Sequence, residues 1–229
     1  MMRTGSSQDA AIGDLIRQNI EREKKDKLER FRYLNRYVKK GAILFAGSSL
    51  TEQFPIGEFL MDFDLPFTIY NRGVGGFTTQ DLLQHMDVCI FDLEPSRIYL
   101  SIGTNDLNDR EFSLEKMLAR YSKIVEQIRS RLPKAELTLL AYYPVNSEGG
   151  AARKAGPLFR ARTNHRIDEA NRAVQAMANR MHVSYLDLNK SLRDSEGNLK
   201  QEFTVEGIHM YANGYRAVLD ALLPVLRRG

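Results

Sequence analysis

Cysteine occurs once in this 229-residue chain, and apolar residues never run on for long. The single thiol, Cys89 in "MDVCIFDL", excludes an internal disulfide and fits a cytoplasmic location. Its apolar neighbours mark it as a small core residue. A spanning helix takes about 20 consecutive apolar residues, so no membrane span is expected. The opening "MMRTGSSQDAAIGDLIRQNI" lacks the apolar stretch of a secretory signal. Charge of one sign is also scarce: the formal net charge is only +4. The four histidines, at 85, 165, 182 and 209, never pair at a metal-motif spacing such as H-E-x-x-H. No G-x-x-x-x-G-K-[ST] phosphate loop occurs either. Neither a metal nor another cofactor is expected.

What is present is a globular composition, 43% hydrophobic and 27% charged, with length enough for one larger domain and a substantial core. Basic residues gather in "REKKDKLERFRYLNRYVKK" (22–40), where Leu28, Phe31, Leu34, Tyr37 and Val38 fall at helical spacing. This is a long basic amphipathic helix whose charges form a solvated face. Interleaved Asp and Glu argue against a phosphate-binding stripe, and no nucleic-acid partner is expected. Docking to a partner helix, or homo-oligomerisation through this segment, is the other use such a helix has.

Beyond it, strands and helices alternate. "AILFAG" (42–47), "FTIYNRG" (67–73), "RIYLSIG" (97–103), "ELTLLAYYPV" (136–145) and "VSYLDLN" (183–189) read as strands, several apolar throughout, as strands covered on both faces are. Leu114, Met117, Leu118, Tyr121, Ile124, Val125, Ile128 and Leu132 mark one intervening helix, and Ile167, Ala170, Val174, Met177 and Met181 another. A last helix begins near Tyr211 and should be interrupted or ended by Pro224. The fold class is α/β: a parallel sheet between two helical layers, built by right-handed crossovers. Ligands of such sheets bind beyond the carboxyl ends of the strands, so those ends are where chemistry belongs.

Four strand-end segments carry reactive side chains. They are Gly47-Ser48-Ser49-Leu50-Thr51, then "NRGVGGFTTQDLL", then "GTNDLND", and finally "FTVEGIHMYANGY" before the last helix. Each alone has a bland explanation: Ser48 or Ser49 as a helix cap, the glycines as a turn, Asn105 and Asp106 as loop formers, His209 as a packed residue. Together they supply what acyl transfer needs. A serine is activated by a histidine that an acid holds, and glycine-flanked backbone N–H groups and an Asn amide can receive a developing oxyanion. Competing motifs fail on single letters. G-x-S-x-G would need glycine at Thr51, and Thr78 stands at the third glycine of a G-x-G-x-x-G dinucleotide loop.

These four blocks, with "NRGVGG", "GTNDL" and "GIHMYANGY", resemble the SGNH, or GDSL-like, hydrolases, and within them the subgroup similar to platelet-activating-factor acetylhydrolase. The resemblance covers about residues 42–226. It implies a flavodoxin-like three-layer α/β/α fold, a five-stranded parallel sheet ordered 2-1-3-4-5, and a division into an N-terminal helical extension (1–40) and a hydrolase domain (41–229). It implies Ser49 as nucleophile, His209 as general base and then acid, Glu206 as the orienting acid, and an oxyanion hole from Ser49, Gly76 and Asn105. The expected activity is cleavage of a short-chain O-acyl ester, a small-molecule substrate. Two letters depart from the family: Ser48 stands for the usual Asp, and Glu206-Gly207-Ile208-His209 for D-x-x-H. They motivate the alternative of a ligand-binding protein without turnover. "PVNSEGGAARKAGPLFRARTNHR" (144–166) carries Arg153, Lys154, Arg160, Arg162 and Arg166. It is either a solvated basic loop or a lid, hinged at Gly149-Gly150, that favours anionic esters.

Overall fold

Side-chain alternation along the strands sets the layers. In β1 (Ile43–Gly47) all residues are buried, Leu44 and Ala46 in one core cluster and Ile43 and Phe45 in the other. A computed structural model describes residues 5–109, 111–147 and 161–228. It places β1, β2 (Ile69–Gly73), β3 (Arg97–Ser101), β4 (Glu136–Leu140) and β5 (Ser184–Leu186) in one sheet of order β2-β1-β3-β4-β5, all pairs parallel. The expected fold and strand order are those observed.

Helices α1 (Gly5–Leu34), α4 (Thr79–Gln84), α5 (Met86–Cys89), α6 (Leu114–Arg131) and α7 (Asn164–Arg180) cover one face. Helices α3 (Ile56–Asp62) and α8 (Ala212–Leu226) cover the other, while the short α2 (Ser49–Glu52) starts directly after β1. The predicted stripes of α6 and α7 are the buried ones, Met117, Tyr121, Ile124, Val125 and Ile128 on α6 and Ile167, Ala170, Val174 and Met177 on α7. Each buried Val, Ile or Met among them contributes about 1.5–3 kcal/mol. Cys89 is fully buried among them. Among the described residues no helix is long and apolar enough to cross a membrane.

Three expectations need correction. The helix over 22–40 buries Leu28 and Phe31, but Leu34 and Tyr37 are 52% and 85% exposed. The α-helix ends at Leu34 and a 3-10 turn (Asn35–Tyr37) changes the phase, so Asn35 takes the inward position. Its amide donates to Val88 O (2.8 Å) and accepts from Arg72 Nε (3.0 Å). The fourth strand stops at Leu140, although its apolar run continues to Val145. Beyond it, side-chain amides take over the backbone pairing: Asn171 bonds both Tyr142 N (2.8 Å) and Tyr142 O (3.0 Å), and Asn164 brackets Val145 likewise. Lastly, α8 runs through Pro224 to Leu226. Proline removes only the bond to the Asp220 carbonyl, on an exposed side of the last turn where water can replace it.

Register aligns the chemistry. Gly47 pairs with Gly73 on one side and Ser101 on the other, so three strands end level and their following loops leave the same edge.

Candidate active site

The loops after β1, β2 and β3 and the segment before α8 meet around a cavity of about 570 Å³. Ser49, Gly76, Asn105, Arg162 and His209 line it, and α1 closes one side with Ile20, Lys24 and Lys27. The two adjacent serines are separated by the helix start. Ser48 is buried in the N-cap position, makes no side-chain capping bond, and accepts at its carbonyl from Thr51 N (3.1 Å) and Glu52 N (2.9 Å). Ser49 opens α2, where backbone N–H groups have no intrahelical acceptor, and faces the cavity.

The turn after β1 sits close against β2. A Cβ on Gly73 would lie 2.2 Å from Glu52 N and 2.6 Å from Glu52 Cα, so only glycine admits α2 at this distance. Asn71 secures the same contact: its amide donates to Thr51 O (2.6 Å) and accepts from Gly73 N (2.8 Å). Sequence reasoning missed Asn71. The available signal was an Asn two residues before a glycine, the spacing at which an Asx side chain bonds the backbone. Gly76 adopts φ +75°, the left-handed region, directly beneath Lys24 and Ile20 of α1.

Glu206 and His209 lie on a small loop closed by the Thr204–Met210 bridge, with Val205 N donating to His209 O (2.9 Å). Asn146, just beyond β4, donates its N–H to Gly207 O (2.8 Å) and ties the loop to the sheet. His209 Nε2 lies 2.9 Å from Ser49 Oγ, and Nδ1 lies 2.5 Å from Glu206 Oε1, which also accepts the His209 N–H (3.2 Å). The longer glutamate therefore reaches the ring. Donation of Nδ1–H to the carboxylate leaves Nε2 as an acceptor for the serine hydroxyl. The Glu206 and His209 side chains are 27% and 28% exposed, so the site is open to small molecules.

Asn105 donates from Nδ2 to Phe77 O (2.9 Å) and accepts at Oδ1 from Arg162 Nη2 (2.7 Å). Its neighbour Asp106 is buried and takes Thr79 N (2.9 Å), Thr79 Oγ1 (2.5 Å) and Arg120 Nη2 (2.9 Å). That carboxylate anchors the Asn105 loop to α4 and α6, a role missed in the sequence. Arg162 is buried as well. Burial pulls its guanidinium down to about 10, with Glu206 pulling the other way, so it is charged at neutral pH. Arg166 instead turns to the Phe112 ring, 4.9 Å away. Arg153, Lys154, Arg160 and the Gly149-Gly150 hinge lie outside the described residues. Among the described residues no cluster of His, Cys, Asp and Glu side chains could hold a metal ion.

A serine, an imidazole and a carboxylate in line, in a cavity that Gly76 and Asn105 also line, have the parts to deprotonate a hydroxyl and receive an oxyanion. Comparison with known proteins shows the family. Over 191 residues the chain is 25% identical to platelet-activating factor acetylhydrolase IB subunit alpha1 of Bos taurus, spanning 83% of this chain and 77% of that one. The alpha2 subunit of Rattus norvegicus is 24% identical over 195 residues, 82% and 79% of the two chains. Among solved structures, one from Streptococcus pneumonia described as a platelet activating factor superposes with a TM-score of 0.86 at 30% identity, over 95% of this chain and 99% of that one. An acetylxylan esterase from Geobacillus stearothermophilus shares the fold, with a TM-score of 0.61 at 15% identity over 82% and 94% of the chains. The model of the GDSL-like lipase/acylhydrolase family matches residues 46–217, from the end of β1 into α8 and so across every loop of the cavity; the chain belongs to that family of ester-bond hydrolases.

Proposed function

We propose that this hydrolase is a serine esterase that cleaves a short-chain O-acyl ester through an acyl-Ser49 intermediate. The observation that carries the reading is the unbroken contact from Ser49 Oγ to His209 Nε2 (2.9 Å) and from His209 Nδ1 to Glu206 Oε1 (2.5 Å). His209 takes the hydroxyl proton as Ser49 Oγ bonds to the ester carbonyl carbon. The N–H groups of Ser49 and Gly76 and the Asn105 amide receive the oxyanion. Collapse expels the alcohol, which takes its proton from His209, and water repeats the sequence to free the acid and restore Ser49. Short acyl chains are supported by the names of the relatives, acetylhydrolases and an acetylxylan esterase. A binder without turnover is disfavoured, because Glu206, one of the two departures behind it, makes the contact an orienting acid needs.

The test is a p-nitrophenyl ester series of increasing acyl length with wild type and Ser49→Ala. Wild type should turn over the acetate and butyrate best and bind one fluorophosphonate per chain. Ser49→Ala should lose both properties. Equal rates for the two proteins would overturn the reading.

A further inference from the structure

Arg162 is 4% exposed, and among the described residues it forms no ion pair. Its Nε is buried without an acceptor. A buried cation with no direct ion pair among the described residues, and Glu206 acting on it only through space, is costly to desolvate, so its charge calls for a use. The hydrogen bond from Nη2 to Asn105 Oδ1 (2.7 Å) shows where it is directed. With Oδ1 held by Arg162 and one Nδ2–H held by Phe77 O (2.9 Å), the amide cannot flip. Its second N–H is left for the cavity that Asn105 lines.

We infer that Arg162 is a positioning residue for the ester reaction proposed above, on which this inference rests: acting through Asn105, it fixes the amide and supplies the counter-charge for the oxyanion. Formal charges support this. In the resting site the formal charges of Glu206 and Arg162 cancel. Attack adds a positive imidazolium and a negative oxyanion, so the set stays balanced. Without Arg162 the oxyanion would form inside a group already net negative. The other cavity cations are engaged or solvated: Lys27 is paired with Glu52 (2.9 Å), Lys24 with Glu21 (2.8 Å) and Asp81 (3.2 Å), and Arg30 is exposed on α1. An arginine whose charge enters a neighbouring amide makes that amide a stronger donor when an anion appears beside it.

The test is a double-mutant cycle on p-nitrophenyl acetate with wild type, Arg162→Met, Arg162→Lys, Asn105→Ala and the Asn105→Ala/Arg162→Met pair, each counted by fluorophosphonate titration. Arg162→Met should lower kcat by about 10–100-fold, less than the 10²–10³ of a lost direct donor. Its KM should stay within about twofold, because an interaction made only in the transition state leaves ground-state binding alone. Arg162→Lys, which keeps the charge, should fall between Arg162→Met and wild type. In the Asn105→Ala background, Arg162→Met should cost no more than about threefold, since residues acting as a unit are not additive. If Arg162→Met does not fold, Arg162→Gln carries the same prediction. A multiplicative loss in the Asn105→Ala background, a change confined to KM, or kcat within twofold of wild type would overturn the inference while leaving the esterase reading intact. A wild type inactive on every ester of the series would overturn both.

Discussion

Glu206 carries one methylene more than the aspartate its relatives' motif spells, and the loop around it is built to that length. Its Oε1 holds both the ring Nδ1 (2.5 Å) and the backbone N–H (3.2 Å) of His209. Gly207, two residues before the histidine, takes φ +102° and donates its N–H to Thr204 Oγ1 (2.6 Å). Restoring the family's letter should therefore harm this protein. Glu206→Asp shortens the reach without moving the backbone, and kcat should fall by about 10–100-fold, since a misplacement of about 1 Å can cost about 10²-fold. Glu206→Gln keeps the length and removes the charge that in the proposed mechanism stabilises the imidazolium, and should fall further, on the order of 10²–10⁴. Steady-state kinetics on p-nitrophenyl acetate decides the order. A Glu206→Asp enzyme faster than wild type would show that the glutamate is a burden rather than a fit.

Among the elements, the loop after β3 is anchored by a buried carboxylate. Asp106 receives Thr79 and Arg120, and Arg120 Nε also donates to Thr79 Oγ1 (2.8 Å), joining the start of α4 and the body of α6 to the residue beside Asn105. Asp106→Ala would leave a buried N–H and a half-exposed guanidinium without their acceptor, at about 3 kcal/mol. Thermal melts should show Tm lower by roughly 6–12 °C, with kcat reduced as Asn105 loosens. A variant as stable as wild type would mean that Asp106 is a spectator. This network also marks the limit of what the letters disclose. Apolar runs and helical periods were enough for the sheet and its flanking helices, because those patterns are local. The end of β4 was not readable, since Asn164 and Asn171, from a helix about two dozen residues on, replace its partners. Arg162 looked like one more cation of a basic loop. Its inward turn depends on Asn105, 57 positions away, and no local pattern encodes such a meeting. Ser49, Gly76, Asn105, Glu206 and His209 stood out because the letters around them match a family.

For the molecule as a whole, ionisable groups sealed in the core link stability to pH. Burial pushes the Cys89 thiol from 9.0 up to about 12, against the pull of nearby Arg72. Burial raises the Tyr121, Tyr142 and Tyr143 hydroxyls too. Above pH 9 the unfolded chain sheds protons that the folded chain retains, so stability falls as pH rises. Between pH 9 and 10 the thiol accounts for about 1 kcal/mol of that fall. Arg162, held down near 10, offsets a small part of it from the opposite direction. Denaturant titrations at pH 8, 9 and 10 should show falling midpoints, with a shallower fall in Cys89→Ala. A flat profile would mean that the thiol is not sealed. The contact between Ser49 and His209 joins residues 160 positions apart. A ribosome therefore releases the hydroxyl long before it has made the imidazole. In the proposed reaction a chain ended before residue 209 would carry the nucleophile without its base.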